Sequence, residues 1–410
     1  MKFKTGRTLA SVALVGSFVA AVLPSVSSAS TPTVKDSTFN TSYSTMKYLK
    51  TIVHKGKGSI AVILPDSKTS ARYTEFDAPN LIRAFKTAGL TGKQYIVQNA
   101  QGSDATQFNM AQADIARGAK VLVVDPLDST TGAVIEGFAK AHGVAVIDYD
   151  RLTLGGARSY YVSFDNVAVG TLIGKGEVSC LAAWNVPTPQ VLYISYGSPT
   201  DNNATLFAKG YNAVMKAAGF TTTATTTTGN KQSVLESAGT WDPVQAGTDF
   251  QGAFTAHPTI NAALTPNDSN ASSVITYLQG KGLKPKTFPT TGQDASLVGF
   301  QHVISGYQCG TVYKPIWLEA QAAAALAIYL RAGIKPPPGL ANGTVSDTLE
   351  HHNVKSVLLT ATWVTPNKVE ATVIKDKVIK ASALCTNTAP TVAGSTQPTY
   401  ATDCTTYGIK

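Results

Sequence analysis

The chain has 410 residues, a formal net charge of +9, four cysteines and only 14% charged residues. Its cations are scattered, with no dense Lys/Arg stripe and no interleaved aromatics, which argues against a nucleic-acid partner. Beyond the first thirty residues, no stretch reaches membrane-spanning length.

The opening "MKFKTGRTLASVALVGSFVAAVLPSVSSAS" has a basic start (Lys2, Lys4, Arg7), an apolar centre and small residues ending in "SSA". That pattern predicts a secretory signal peptide, residues 1–29, cleaved after Ala29. The mature chain is then only mildly basic. Its length, about 380 residues, corresponds to two domains at roughly 150 residues each. Residues 30–57 read as a polar arm with one short amphipathic helix.

From residue 58 the pattern becomes regular. Strand "SIAVILP" and turn "DSKTSARY" lead to helix "APNLIRAFKTAGL". Strand "QYIVQNA", helix "ATQFNMAQADIARGA", strand "KVLVVDP", helix "TGAVIEGFAKAHG" and strand "VAVIDYD" come next. A second round runs through strand "QVLYIS", helix 205–219, strand "TTTATTTT", a helix near 243–256, strand "NAALTPN", helix "ASSVITYLQGKG" and strand "TFPTTGQD". A short helix at 296–306, strand "GTVYKP" and the Ala-rich helix "IWLEAQAAAALAIYLRAG" complete it. Continuous apolar strands alternating with helices predict α/β architecture with parallel sheets covered on both faces, in two tandem halves. No sharp linker separates the halves, so the chain is expected to pass between them more than once. In the tail, 385–410, the stretch after Cys385, "TNTAPTVAGSTQPTYATD", is poor in large apolar residues and reads as irregular.

Widely spaced Cys in an exported chain favour disulfides over zinc, and no C-x-x-C pair offers a structural metal site. Three pairings are open. The preferred one joins Cys385 to Cys404, stapling the tail, and Cys180 to Cys309 within the body.

In open α/β sheets ligands bind at the carboxyl ends of the strands. Those ends deliver Arg72 and Tyr73; Tyr149, Asp150 and Arg151; Asp201, Asn202 and Asn203; Asn267 and Asp268; Gln293 and Asp294; and Lys314. Each has a plainer reading: Asp201 or Asn203 as a helix cap, Asp150 with Arg151 as a surface ion pair, Lys314 as a solvated strand end, Trp241 as a core aromatic. Independent caps and pairs have no reason to recur at strand after strand. Carboxylates that accept from hydroxyls, cations that donate and amides that do both suit a neutral polyol, with Trp241 covering its C–H face. None of the six His falls at these strand ends, so a Ser-His-Asp hydrolase lacks its base. "GSPTDN" is not a G-x-S-x-G elbow, and no glycine-rich phosphate loop comes after the first strand. A glycoside hydrolase using Asp150 or Asp294 remains open, although the adjacent Arg151 and Lys314 favour ionised carboxylates, which are poor acids. Of the sequon matches "NAT", "NAS" and "NGT", that at Asn203 is rejected because a glycan would block the rim, while Asn270 and Asn342 stay open.

The segments "VIDYDR", "YVSFDN", "GSPTDNNA", "TPNDSNA", "TGQDASLVGF" and "TVYKP" together resemble the D-xylose-binding periplasmic protein family, sugar-binding components of ABC importers. They occur in that family's order over about residues 58–384. The resemblance implies a type I periplasmic binding protein fold: two Rossmann-like lobes with parallel sheets, joined by a three-strand hinge. It implies lobe 1 from 58–164 and 315–343, and lobe 2 from 165–314 and 344–384. It also implies that Asp150, Arg151, Asp201, Asn203, Asn267, Asp294 and Lys314 hydrogen-bond one monosaccharide. Arg72 and Tyr73 would contribute from the first lobe, and Trp241 would stack on the ring. The arm, the tail and the four Cys are not part of that family's pattern.

The expectation is therefore an exported monomer in the periplasm or cell exterior, non-enzymatic, without cofactor or metal. It would capture D-xylose or a similar pyranose by hinge closure and present it to membrane permease subunits. A sugar-sensing module for chemotaxis or a histidine kinase would share fold and site. A sugar-responsive repressor would need a DNA-binding headpiece where this chain has an export signal.

Overall fold

The computed structural model describes residues 33–193, 197–222, 233–236, 239–386 and 400–410. The expected signal peptide lies outside the described residues.

A 3-10 turn (Ser44–Leu49) runs into α1 (Lys50–Val53). The first lobe continues as β1 (Ser59–Leu64), α2 (Ala78–Ala88), β2 (Tyr95–Asn99), α3 (Asp104–Ala116), β3 (Ala119–Val124), α4 (Ser129–Ala141), β4 (Ala145–Tyr149) and β5 (Tyr160–Phe164). The second contains α5 (Asn166–Ala183), β6 (Gln190–Tyr193), α6 (Asn202–Ala217), β7 (Thr221–Thr222), β8 (Ser233–Glu236) and α7 (Pro243–Ala256). It continues through β9 (Ala262–Leu264), α8 (Asp268–Gly280), α9 (Leu297–Ile304) and β10 (Thr311–Tyr313). The chain returns to the first lobe as α10 (Ile316–Arg331), β11 (Gly343–Asp347) and β12 (His352–Leu359). It ends on the second as β13 (Thr362–Val364), α11 (Ala381–Leu384) and α12 (Tyr400–Thr406).

The first sheet has the order β11-β12-β5-β4-β3-β1-β2 and the second β7-β8-β6-β9. All neighbours are parallel except β11 with β12. Ile60–Leu64 and Val121–Val124 are wholly buried, as strands covered on both faces must be. The chain crosses between lobes three times: from β5 to α5, from β10 to α10 and from β12 to β13. β10 and β13 pair antiparallel where two of these crossings meet.

Four expectations need correction. Residues 344–359, expected in lobe 2, belong to lobe 1, because β12 pairs with β5 from Ser356↔Tyr161 to Leu359↔Phe164 and carries β11 on its outer edge. The polar arm is built into lobe 1 rather than standing off it: Val34, Phe39, Tyr43, Met46, Leu49 and Val53 all join the core, and Arg83 lies over the Tyr43 ring. The tail is not irregular throughout, since Tyr400–Thr406 is helical and Tyr400, Cys404 and Ile409 pack into the second lobe; residues 387–399 lie outside the described residues. Segment 287–294 makes only two isolated bridges instead of a strand. Pro289 lacks a ladder donor, and the Thr291 hydroxyl takes over, accepting from the Thr265 amide and donating to the Thr265 carbonyl, both at 2.9 Å. Most of "TTTATTTT" and the end of "QVLYIS" fall outside the described residues. Strands β5, β11, β12 and β13 and helix α5 were not read from the pattern at all.

Helices α5 and α6 touch backbone to backbone. A Cβ on Gly170 would come within 2.1 Å of the Phe207 carbonyl oxygen, and one on Gly210 within 2.3 Å of the Val167 carbonyl oxygen. This contact sets α6, with Asn203 and Phe207, against the first crossing. Disulfides join Cys180 to Cys309 and Cys385 to Cys404.

Glu177 on α5 is fully buried, and its carboxyl has no hydrogen-bond partner among the described residues. Burial pushes it up to about 8 from the usual carboxylate range. An acid raised in the folded state binds its proton more tightly there than in the unfolded chain, so folding stability should fall as pH rises from about 4.5 to about 8. Urea unfolding of the wild type and of Glu177→Gln across that range checks this. The substitution should flatten that part of the profile, and an unchanged slope would show that Glu177 is not its source.

Candidate functional site

A cleft between the lobes contains about 310 Å³ of empty space, solvent at its mouth included. All ten residues expected at the site line it: Arg72 and Tyr73; Asp150 and Arg151; Asp201 and Asn203; and Trp241, Asn267, Asp294 and Lys314. Each is less than a tenth exposed. Thr69, Ser70, Phe207 and Gln293 complete the lining.

Strand ends and helix starts position them. Arg72 and Tyr73 come after β1, Asp150 and Arg151 after β4, and Lys314 directly after β10 at the second crossing. Asp201 caps α6 through the Asn203 amide at 2.9 Å, and Asn267 caps α8 through the Asn270 amide at 2.8 Å. Capping and lining are thus compatible, because a capping side chain at this edge already faces the cleft. Trp241 is both buried and lining: its indole N–H donates to Asp201 Oδ2 at 3.0 Å and its ring meets Phe207 edge-on. Asn203 donates to the Asp150 carbonyl at 3.0 Å and accepts from Asn166 Nδ2 at 2.7 Å. Asn270 is fully buried, which removes it as a glycan acceptor in the folded protein.

Buried charges dominate the electrostatics. Arg72 reaches Asp150 at 2.7 Å, Asp77 at 2.8 Å and Glu319 at 2.9 Å. Arg151 lies 3.1 Å from Asp201 and 3.6 Å from Asp125, and donates to the Tyr73 hydroxyl at 2.8 Å. Lys314 lies 3.2 Å from Asp294 and 3.6 Å from Asp150. Burial works to raise Asp150, but Arg72, then Lys314 and Arg151, overcome it and hold the carboxyl down to about 2. Burial prevails at Asp125, Asp201 and Glu319, which are all raised despite the neighbouring guanidinium groups. Asp150 (φ 59°) and Asp294 (φ 89°) both sit in left-handed backbone, costly for non-glycine residues and common at binding sites.

Residues 60–335 match the model of the periplasmic binding protein domain family. The chain belongs to that family. It is 35% identical to the D-xylose-binding periplasmic protein of Escherichia coli (strain K12) over 301 residues, 73% of this chain and 86% of that one. It is 30% identical to the multiple sugar-binding periplasmic receptor ChvE of Rhizobium radiobacter over 346 residues, 80% of this chain and 92% of that one. Among solved structures it resembles a carbohydrate transporter solute binding protein from Chloroflexus aurantiacus in complex with D-glucose. That likeness has 27% identity and TM-score 0.67, and covers 80% of this chain and 98% of that one. The fold is the type I periplasmic binding protein fold, and such proteins bind rather than turn over their ligands. An Asp150 held ionised at about 2 is likewise unsuited to donate a proton as a glycosidase acid.

Sequence reasoning missed the groups that hold this periplasmic binding protein's site in place. Asp125 directly follows β3 and met the strand-end rule, yet was passed over. Glu319 is the lone carboxylate in the Ala-rich α10, an anomaly that marks a buried partner. Ser70 donates from the first lobe to Asp294 Oδ2 in the second at 2.9 Å, and had no distinguishing signal.

Arg72 is shared by three carboxylates, so Arg72→Met should destabilise the fold by about 3–5 kcal/mol by stranding buried acids. Lys314→Met should cost less, because Asp150 keeps Arg72 and Asp294 keeps Ser70. Urea titrations at pH 7 compare them, and equal losses would remove Arg72 from the centre of the network.

Proposed function

We propose that the mature chain captures one neutral monosaccharide, D-xylose or a similar pyranose, between its lobes and presents it to the permease of an ABC importer. The observation that carries this reading is charge pairing: each cation lining the cleft lies within 3.6 Å of a protein carboxylate. An anion would meet Asp150, Asp201 and Asp294, and a cation would meet Arg72, Arg151 and Lys314. A hydroxyl both donates and accepts, so it enters such a network without adding charge. Trp241 and Phe207 supply apolar surface for the C–H face. The names of the relatives, which include xylose and multiple-sugar binders, support a sugar over other polyols.

The site is assembled from both lobes, so closure about the three crossings buries the ligand's hydroxyls. Only a sugar whose contacts exceed the cost of closing shifts the population. The protein acts as an exported monomer in the periplasm; no helix among the described residues is long and apolar enough to cross a membrane. The similarity to a sugar-binding receptor gives the sensory role a specific footing as second reading, with the same ligand and a different partner.

Thermal shift of the mature protein against pentoses and hexoses tests the class. A ligand at a hundred times its dissociation constant adds about 2.7 kcal/mol of stability. Xylose is expected to raise the melting temperature more than its epimers; a larger shift with another sugar corrects the specificity, and no shift with any sugar rejects the reading. In calorimetry, Asp294→Ala should remove most of the affinity while the fold persists. Trp241→Ala should weaken binding; a lower melting temperature with affinity kept would return Trp241 to a purely packing role.

A further inference from the structure

Asp268 comes directly after Asn267 but does not line the cleft, and it is only 1% exposed. Its carboxylate accepts four hydrogen bonds from two segments distant in sequence. Oδ2 accepts from the Ser296 amide at 2.8 Å and the Ser296 hydroxyl at 3.2 Å. Oδ1 accepts from Gln308 Nε2 at 2.9 Å and the Thr311 hydroxyl at 2.7 Å. Its own amide donates to the Gln293 carbonyl at 2.9 Å. One of these segments carries Asp294 and the other runs into Lys314. Asp268 therefore ties together the supports of Asn267, Asp294 and Lys314.

The surroundings are shaped for this carboxylate. A Cβ on Gly292 would come within 2.1 Å of Oδ1, and one on Gly299 within 2.2 Å of Oδ2. The loop needs an external tie, because Asp294 and Ala295 hold consecutive positive φ values of 89° and 56° that neither residue favours alone. Burial pushes the Asp268 carboxyl up to about 6, although Gln308, Thr311 and Ser296 pull it down, so the fold keeps this acid at a desolvation cost.

We propose that Asp268 is the positioning residue of the cleft: it holds Asp294 and Lys314 in place through Ser296, Gln308 and Thr311 without touching the ligand. The proposal rests on the sugar-binding reading for its effect on affinity, but not for its effect on the loop.

The test uses the mature chain as wild type, Asp268→Asn and Thr311→Val. Each is titrated calorimetrically with D-xylose and D-glucose, melted, and monitored by amide hydrogen exchange without sugar. An Asn side chain presents an N–H₂ group to donors that had a carboxylate to bond. Asp268→Asn is expected to weaken affinity at least about tenfold for whichever sugar the wild type binds. Exchange should quicken at 292–296 and 308–314 while lobe 1 amides stay protected. Thr311→Val, which removes one bond of the four, should move both readouts the same way by a smaller factor, and carries the test if Asp268→Asn does not fold. Unchanged affinity with a lower melting temperature would reduce Asp268 to a stability role and overturn the proposal. Unchanged exchange in the two segments would overturn it as well. If the wild type binds neither sugar, the affinity arm of the sugar reading fails by itself, and the exchange pattern still decides the positioning role.

Discussion

Three cations, Arg72, Arg151 and Lys314, lie desolvated between two lobes, and the rest of the site is arranged around that fact. An ion removed from water is tolerated only when paired and hydrogen-bonded. The carboxyls around them, Asp77, Asp125, Asp150, Asp201, Asp294 and Glu319, outnumber the cations. Burial opposes ionisation at Asp125, Asp201 and Glu319, which are raised from the usual carboxylate range despite the guanidinium groups beside them. Asp150, in reach of both Arg72 and Lys314, stays ionised. Each cation already has a protein carboxylate in reach, and a ligand that brings charge would disturb that pairing.

The same network links the lobes. Ser70 bonds Asp294, Arg151 pairs with Asp201, and Asn203 bonds the carbonyl of Asp150 across the cleft. The groups that would grip a sugar are already aimed at one another, so little rearrangement is needed before they serve hydroxyls. A hydroxyl inserted between an acceptor and a donor satisfies both. An epimer that points one hydroxyl elsewhere leaves a buried partner unmatched, and such penalties separate sugars more sharply than shape alone.

The legible part of the site was the part dictated by parallel-sheet geometry. Strand ends face the cleft whatever the residues are, so the polar groups just beyond "AVILP", "VAVID" and "VLYIS" proved to be lining groups. Groups that act from helices escaped that rule: Asp77 sits in the turn before α2 and Glu319 inside α10, and only three-dimensional packing brings both to Arg72. The lobe assignment of 344–359 failed for a related reason. A strand's own pattern says that it pairs, but β12 lies about 190 residues from β5 in the chain, and nothing local names the partner. The arm misled through composition: Phe39, Tyr43 and Met46 are diluted among Ser and Thr, so segment averages hid residues that are buried singly.

Two of the strained backbone positions lie at the cleft. Asp150 in the first lobe and Asp294 in the second both occupy left-handed backbone, and both face Lys314. Each is held by its own lobe: the Asp150 carbonyl accepts from the Tyr161 hydroxyl at 2.8 Å, and the Asp294 loop hangs from Asp268. Motion about the three crossings would then change the distance between two preformed half-sites but not the geometry within either. On the sugar-binding reading, affinity would divide accordingly: the contacts inside a half-site would set which hydroxyl pattern fits, while the bonds between halves would set how long the lobes stay together.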